Sequence, residues 1–216
     1  MLKNVGIIFK GSLFLVISSF FLGNLYKRKI IFYNYLVYSV FLIYMEPKIL
    51  DEKTFKLLGC VFYGNPFHSA QEWTYENEIG RLWERFGKLY YNYFNLFSKI
   101  CKNWNVGYEL HLETEEYRET KNYYVMVGME VDNIEDIPLE MFVKILPKIK
   151  YIVFTTTMQN KNEVGFYIYK KWLSENGYEQ SYPYLIQGYD RERYKDLNDP
   201  KSEIDWYIPV KILISQ

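Results

Sequence analysis

The sequence predicts an α+β protein in which two pseudosymmetric strand-helix-strand-strand repeats form an antiparallel sheet with helices on one face. The order strand, helix, strand, strand occurs twice along the chain. The final strand, residues 202–211 (SEIDWYIPVK), also alternates, so that Ile204, Trp206 and Ile208 point to one side. Alternation with a period of two is typical of a strand with one face in a core.

The first repeat begins with an apolar run of strand length, 55–63 (FKLLGCVFY), which a Gly-Asn-Pro turn ends. Ser69 and Glu72 have the spacing of a capping box, which predicts a helix start there. Apolar and aromatic residues then recur at three- and four-residue spacing over 79–97, which indicates one long amphipathic helix. The run 108–113 (YELHLE) alternates, which predicts a strand, and a further strand is predicted over 123–131 (YYVMVGMEV).

The second repeat has the same order of elements. Residues 132–147 connect the repeats, and the β-branched run 151–157 predicts a strand. Residues 162–176 predict a helix, and Gly177 suits its C-terminal cap. A short strand is predicted over 184–189, before the final strand described above.

The first 44 residues differ from the rest of the chain. They contain two apolar runs and five basic residues without an acid, which leaves 21 basic and 26 acidic residues in the remainder. The first run has about the ~20 residues that a membrane helix needs. Two interpretations remain open: a membrane anchor, or translated upstream sequence before a start at Met45. We favour the Met45 start and expect residues 45–216 to form the domain.

Composition excludes several classes of function. An acidic body argues against direct nucleic-acid binding, since phosphate contacts need a basic face. Cys60 and Cys101 give neither a disulfide framework nor a metal-binding spacing, and the two histidines, His68 and His111, fall in no metal or catalytic pattern. We therefore expect no metal, no cofactor and no histidine-based active site.

From Met45 to its end the chain resembles the GyrI-like, or AraC-type, effector-binding domain. The resemblance covers some 170 residues and depends on the order of its pieces: KLLG…YGN at 56–65, LWERF at 82–86, Tyr108-Glu109, VGMEV at 127–131, LPKIKYIVF at 146–154, WLSENGY at 172–178, Gly188-Tyr189-Asp190 and the closing EIDWYIPVK.

The resemblance implies a concave aromatic cleft that binds bulky, often cationic or aromatic, small molecules. We expect this ligand cleft on the face of the sheet opposite the helices. Many members of the family are fused to a DNA-binding domain, and some stand alone. A subset of the standalone members hydrolyses cyclopropane-bearing toxins. The family often has a glutamate where this chain has Asp205, and an acid where it has Gln187.

The predicted ligand-binding residues come from strand alternation combined with this family pattern. A carboxylate in an apolar cleft requires compensation, and a cationic ligand beside aromatic rings provides it. The candidates are Asp205, Tyr207, Glu130, Met126, Tyr124 and Tyr189. Trp83 and Trp172 lie on helical apolar stripes, which favours core packing over ligand contact.

Three functions are consistent with these residues, and we favour the first. It is a non-catalytic module that senses or sequesters a hydrophobic or cationic small molecule in the cytoplasm, with membrane contact only if residues 1–44 provide it. The second is a small hydrolase in which Asp205 or Glu130 activates water and a tyrosine donates a proton. The third is a module that acts on a protein partner, as gyrase-modulating relatives are thought to do.

Overall fold

The computed structural model describes residues 46–71 and 74–213. The predicted leader at 1–44 lies outside the described residues, so the division at Met45 stays a prediction. The strands are β1 Lys48–Lys53, β2 Lys56–Gly64, β3 Val106–Glu113, β4 Tyr123–Glu130, β5 Phe142–Ile145, β6 Ile149–Thr157, β7 Tyr178–Gln180, β8 Tyr184–Asp190 and β9 Glu203–Ile212. The helices are α1 Glu78–Asn92, α2 Phe94–Ile100, α3 Tyr117–Thr120 and α4, which runs through Lys161–Tyr167, Ile168–Trp172 and Leu173–Glu175.

The strand order confirms the two predicted repeats. Eight strands of the nine-stranded sheet follow the order β1-β6-β9-β8-β3-β4-β2-β5, and β7 pairs with β9. Within the first repeat β4 lies between β2 and β3, and within the second β9 lies between β6 and β8. The repeats meet where β3 pairs with β8, from Val106↔Asp190 to Leu112↔Tyr184. All the strand pairings are antiparallel, as expected.

Both long helices cover the same face of the sheet. Side chains of paired residues in neighbouring strands share a face, and one such row runs through Cys60, Val127, Glu109, Gln187 and Trp206. Helix α1 buries two residues, Leu82 and Phe86, in the same core as Cys60 and Val127. Helix α4 approaches the other end of the row at Gly165, where a Cβ atom would lie 3.1 Å from the Trp206 ring.

The opposite face is filled because the sheet curls on itself. Strands β1 and β2 lie towards opposite ends of the strand order, yet only Thr54 and Phe55 separate them. Three residue steps span about 10 Å at most, so the two ends of the sheet must come together. Phe55 is fully buried at this closure, with ring centroids 5.2 Å from Tyr151, 5.5 Å from Tyr108 and 5.4 Å from Tyr207.

The helix ends differ from the sequence-based expectation in two places. The predicted start at Ser69 is wrong: α1 begins at Glu78, and the Asn77 side chain accepts a hydrogen bond from the Gly80 amide at 3.0 Å. The predicted long helix is interrupted at Tyr93, although Leu82, Phe86 and Phe97 remain in one core. Gly177 has a φ of +72° after α4, which confirms the predicted glycine cap. In the part of the chain that the structure describes, no helix has both the length and the apolar character to cross a membrane.

Candidate functional site

A cavity of about 370 Å³ lies on the helix-covered face, between α1, strands β3 and β8, and the segments that precede α1 and follow β8. Its wall is mainly aromatic. The rings that line it are those of Phe67, Tyr75, Trp83, Phe86, Tyr90, Tyr189 and Tyr194. The cleft was expected on the opposite face, but the closure around Phe55 fills that face with packed rings, and the cavity lies under the helices instead.

Glu109 places a carboxylate in this aromatic wall. The residue lies in the middle of β3 and is 3% exposed. The Trp83 indole Nε1 donates a hydrogen bond to its Oε2 at 2.6 Å, and His111 Nε2 lies 2.6 Å from its Oε1. A buried carboxylate requires such partners because its loss of hydration is costly. The two contacts hold Glu109 as a fixed acceptor at the back of the cavity.

Tyr189 extends this network across the repeat boundary. Its hydroxyl lies 3.4 Å from Glu109 Oε2 and donates to Gln187 Oε1 at 2.8 Å. Burial, together with the nearby Glu109 carboxylate, raises the pKa of Tyr189 well above its ordinary value. Tyr189 therefore stays protonated at neutral pH and can act as a hydrogen-bond donor.

A glycine in β3 permits the contact between helix and carboxylate. Gly107 lies two residues before Glu109 on the same face of the strand. A Cβ atom at Gly107 would lie 3.0 Å from the Trp83 ring. A side chain at this position would require the Trp83 ring to shift by a few tenths of an ångström, so the glycine permits the close packing of α1 on the strand.

The loop after β8 closes one side of the cavity. The Tyr194 ring lies 4.9 Å from the Tyr189 ring in an edge-on arrangement. The Tyr75 hydroxyl donates to Asp196 at 3.0 Å and accepts from the Leu197 amide at 3.3 Å. These bonds tie the loop to the segment that precedes α1.

Of the six predicted site residues, Tyr189 lines the cavity and the other five lie on the opposite face. Tyr207 packs edge-on against Phe55, and Met126 is buried in the same cluster. Tyr124 is 42% exposed, with its ring 4.7 Å from that of Tyr63. These residues do share one face of their strands, as predicted. That face is the one opposite the helices, which the side chains of the curled sheet fill.

The two predicted acids, Asp205 and Glu130, are held by cations of the chain. Arg193 Nη1 donates to Asp205 Oδ1 at 3.1 Å, its Nη2 bonds Oδ2, and Thr155 donates to Oδ1 at 2.6 Å. Glu130 accepts from Lys53 at 2.9 Å and pairs with Lys102 at 3.4 Å. Arg193 belongs to the loop that closes the cavity, so Asp205 anchors this loop rather than lining the cavity.

We expect Asp205→Asn to lower the free energy of unfolding by about 1 kcal/mol, since the Arg193 pair is partly exposed to solvent. It should leave the ratio of affinities for a cationic and an anionic ligand unchanged. Urea denaturation and ligand titration measure the two effects. If the variant loses its preference for a cationic ligand and keeps its stability, Asp205 contacts the ligand and the present placement is wrong.

Three residues of the cavity network were missed in the sequence: Glu109, His111 and Trp83. The run 108–113 (YELHLE) was recognised as an alternating strand. That alternation also places Glu109, His111 and Glu113 on one face. The position of Glu109 between Tyr108 and Leu110 was the sequence feature that could have indicated a buried carboxylate. Trp83 packs against the core that α1 covers, as expected, and its ring also lines the cavity. Trp172 packs on Phe154 with ring centroids 5.1 Å apart, as expected.

Comparison with known proteins identifies a family model that matches most of this chain. The family model described as "Cass2: Integron-associated effector binding protein" matches residues 48–210. The transcriptional regulator BrlR of Pseudomonas aeruginosa is 27% identical over 168 residues. That alignment covers 77% of this chain and 56% of BrlR, so the chain spans little more than half of that relative's length.

Two solved structures share the fold. One is a putative transcription regulation protein of Staphylococcus aureus MU50, with a TM-score of 0.53, 18% identity and coverage of 77% of this chain and 99% of the other. The second is SAV2435 bound to tetraphenylphosphonium, with a TM-score of 0.50, 17% identity and coverage of 77% and 94%. At these identities the likeness concerns the fold.

Proposed function

Since the chain belongs to the Cass2 family of integron-associated effector binding proteins, we propose that it binds a bulky aromatic cation in the cavity beside Glu109. The observation that carries the proposal is the buried Glu109 carboxylate in an aromatic wall. Such a module acts as an effector sensor or as a protein that sequesters a toxic compound.

The combination of a buried carboxylate and aromatic rings in one cavity supports a cationic ligand. A carboxylate in a poorly hydrated cavity interacts with a cation more strongly than it would in water. Ring faces add roughly 0.5–2 kcal/mol each through cation–π attraction. Arg191 also lines the cavity, but it is exposed, and its guanidinium lies 5.8 Å from the centroid of the Tyr90 ring. Its charge is therefore more screened by solvent than that of Glu109.

The cavity volume and one relative agree with this class of ligand. About 370 Å³ falls within the range of roughly 300–1,000 Å³ that is typical of small-molecule sites. Tetraphenylphosphonium, the ligand in the SAV2435 structure, is a cation surrounded by four phenyl rings. We propose the same combination of features for the ligand of this chain, and a cytoplasmic location without direct DNA binding.

Titration of the full chain with tetraphenylphosphonium tests the proposal. A ligand present at a hundredfold its Kd adds about 2.7 kcal/mol to the free energy of unfolding, which thermal or urea denaturation detects. Tetraphenylborate, with the same outline and the opposite charge, is the control and should not stabilise the protein. Equal stabilisation by both ions, or none by either, would contradict the proposal.

The contact between His111 and Glu109 favours one second candidate, a hydrolase. Here Glu109 would take a proton from the water that attacks a strained electrophile, and Tyr189 would protonate the leaving atom. Asp205 and Glu130, which the sequence suggested for the role of base, lie outside the cavity in ion pairs. Incubation of the purified chain with a cyclopropane-bearing electrophile distinguishes the candidates, since a binding module leaves the substrate unchanged.

A further inference from the structure

A second cavity of about 380 Å³ lies on the same face of the sheet, next to the first. It lies over the paired strands β3 and β8 and reaches Tyr169 on α4. His111 lines both cavities, while its partner Glu109 lines the first. The two cavities are therefore neighbours along β3, on either side of the His111 ring.

The second cavity presents aromatic rings and a carboxylate. The Tyr123 ring stacks on His111 at 5.7 Å and meets Tyr117 edge-on at 5.6 Å. Glu113, which is exposed at the end of β3, supplies the carboxylate at the mouth of the cavity. Tyr169, which is 40% exposed, lines the cavity from α4. Its partial burial, together with the nearby Glu113 carboxylate, raises the pKa of Tyr169 to about 12.

Among residues 46–71 and 74–213, the second cavity has no lysine or arginine in its lining. Lys121 lies outside the lining, with its ammonium 5.4 Å from the centroid of the Tyr117 ring. In the same described ranges no side chain forms a hydrogen bond or ion pair with the Glu113 carboxylate.

The spacing of the two acids follows from strand geometry. Glu109 and Glu113 are four residues apart on β3, so both side chains point to the same face. At about 3.3 Å per residue, their Cα atoms lie about 13 Å apart. Each acid belongs to its own aromatic cavity, and His111 stands between them.

We propose that the second cavity is a further ligand compartment that binds an ammonium group, so that the preferred ligand carries two cationic groups about 13 Å apart. This inference rests on the proposed function, because it takes the first cationic group to bind beside Glu109. The ammonium contacts the Tyr123 and Tyr169 rings and the Glu113 carboxylate, which is an arrangement that favours quaternary ammonium groups.

Two matched probes test the inference on the full chain. The first carries a triphenylphosphonium group joined by an alkyl linker to trimethylammonium. The second has tert-butyl in place of trimethylammonium, which keeps the shape and removes the charge. We expect the dication to bind about tenfold more tightly, with the largest gain when the linker spans the distance between the acids.

Variants assign that gain to the second cavity. Glu113→Gln and Tyr169→Leu should each lower the ratio of the affinity for the dication to that for the tert-butyl probe towards one, because each removes a contact that favours the positive charge. Glu115→Gln removes the same charge from the adjoining loop, as a control, and should change neither affinity.

The outcomes separate this inference from the proposed function. If both probes bind with equal affinity at every linker length, the second compartment is refuted and the proposed function stands. A gain that persists in both variants also refutes the second compartment. If neither probe binds, the proposed function fails, and this inference fails with it.

Discussion

Phe55→Ala is expected to lower the free energy of unfolding by about 3–5 kcal/mol, which is the usual range for removing a buried phenylalanine ring. Phe55 is fully buried where β1 joins β2, and its ring contacts Tyr108, Tyr151 and Tyr207. The Lys53 ammonium also lies 3.9 Å from its centroid. The substitution therefore removes the group that closes the curled sheet.

Urea denaturation of the variant measures this effect. Phe166→Ala is the matched control, since Phe166 is 70% exposed on α4 and its truncation should change stability by about 0.5 kcal/mol or less. A loss below about 1 kcal/mol for Phe55→Ala would show that the closure does not depend on this ring.

The second large effect is a loss of stability at alkaline pH. Burial is the main cause that raises the pKa of Tyr108, Tyr151 and Tyr189 above the ordinary value. Below about pH 10 these phenols are protonated in both the folded and the unfolded states, and their contribution to stability is complete. Above that pH the unfolded chain releases protons that the folded chain retains, so stability falls as pH rises.

The expected loss is about 1.4 kcal/mol per pH unit for each tyrosine, or about 4 kcal/mol for three at pH 11. Urea denaturation between about pH 8 and about pH 11, where tyrosine begins to ionise in the unfolded chain, gives the slope of the free energy of unfolding against pH. Tyr108→Phe should reduce that slope, whereas Tyr91→Phe, at a position 81% exposed, is the control. Equal slopes for the wild type and Tyr108→Phe would show that Tyr108 ionises in the folded protein.

The repeats could be predicted because their strands are half-buried. In β9 the alternation of Ile204, Trp206 and Ile208 with polar residues is a consequence of burial on one face, and all three are buried. Strands β1 and β5 were missed because they lack this one-sided burial. They lie at the two ends of the strand order, and most of their residues are exposed or half-buried, so they lack a clear hydrophobic pattern.

The position of the cavity could not be read from periodicity. Alternation assigns side chains to two faces, but both faces of this sheet are buried, one under the helices and one by its own curvature. Asp205 and Tyr207 were correctly placed together on the face opposite Trp206. The curvature that fills their face depends on contacts between distant strands, such as Phe55 with Tyr151, which no local pattern records.

Trp83 illustrates a second limit. An apolar stripe on a helix is the same whether a ring packs against neighbours or lines a cavity. Trp83 packs against the core that contains Leu82 and Phe86, and it also reaches Glu109 through its indole N–H. This second contact depends on Gly107, which leaves room for the ring, and that close approach appears only in three dimensions.

The most direct test of the account is the affinity of tetraphenylphosphonium and tetraphenylborate for the wild type and for Glu109→Gln. The substitution keeps the shape of the side chain and removes its charge, which should weaken cation binding by about 1.5–3 kcal/mol, or roughly ten- to a hundredfold. Glu163→Gln, at an exposed position on α4, removes the same charge and should have no effect. If Glu109→Gln binds tetraphenylphosphonium as tightly as the wild type does, the buried carboxylate does not select the ligand and the central claim is contradicted.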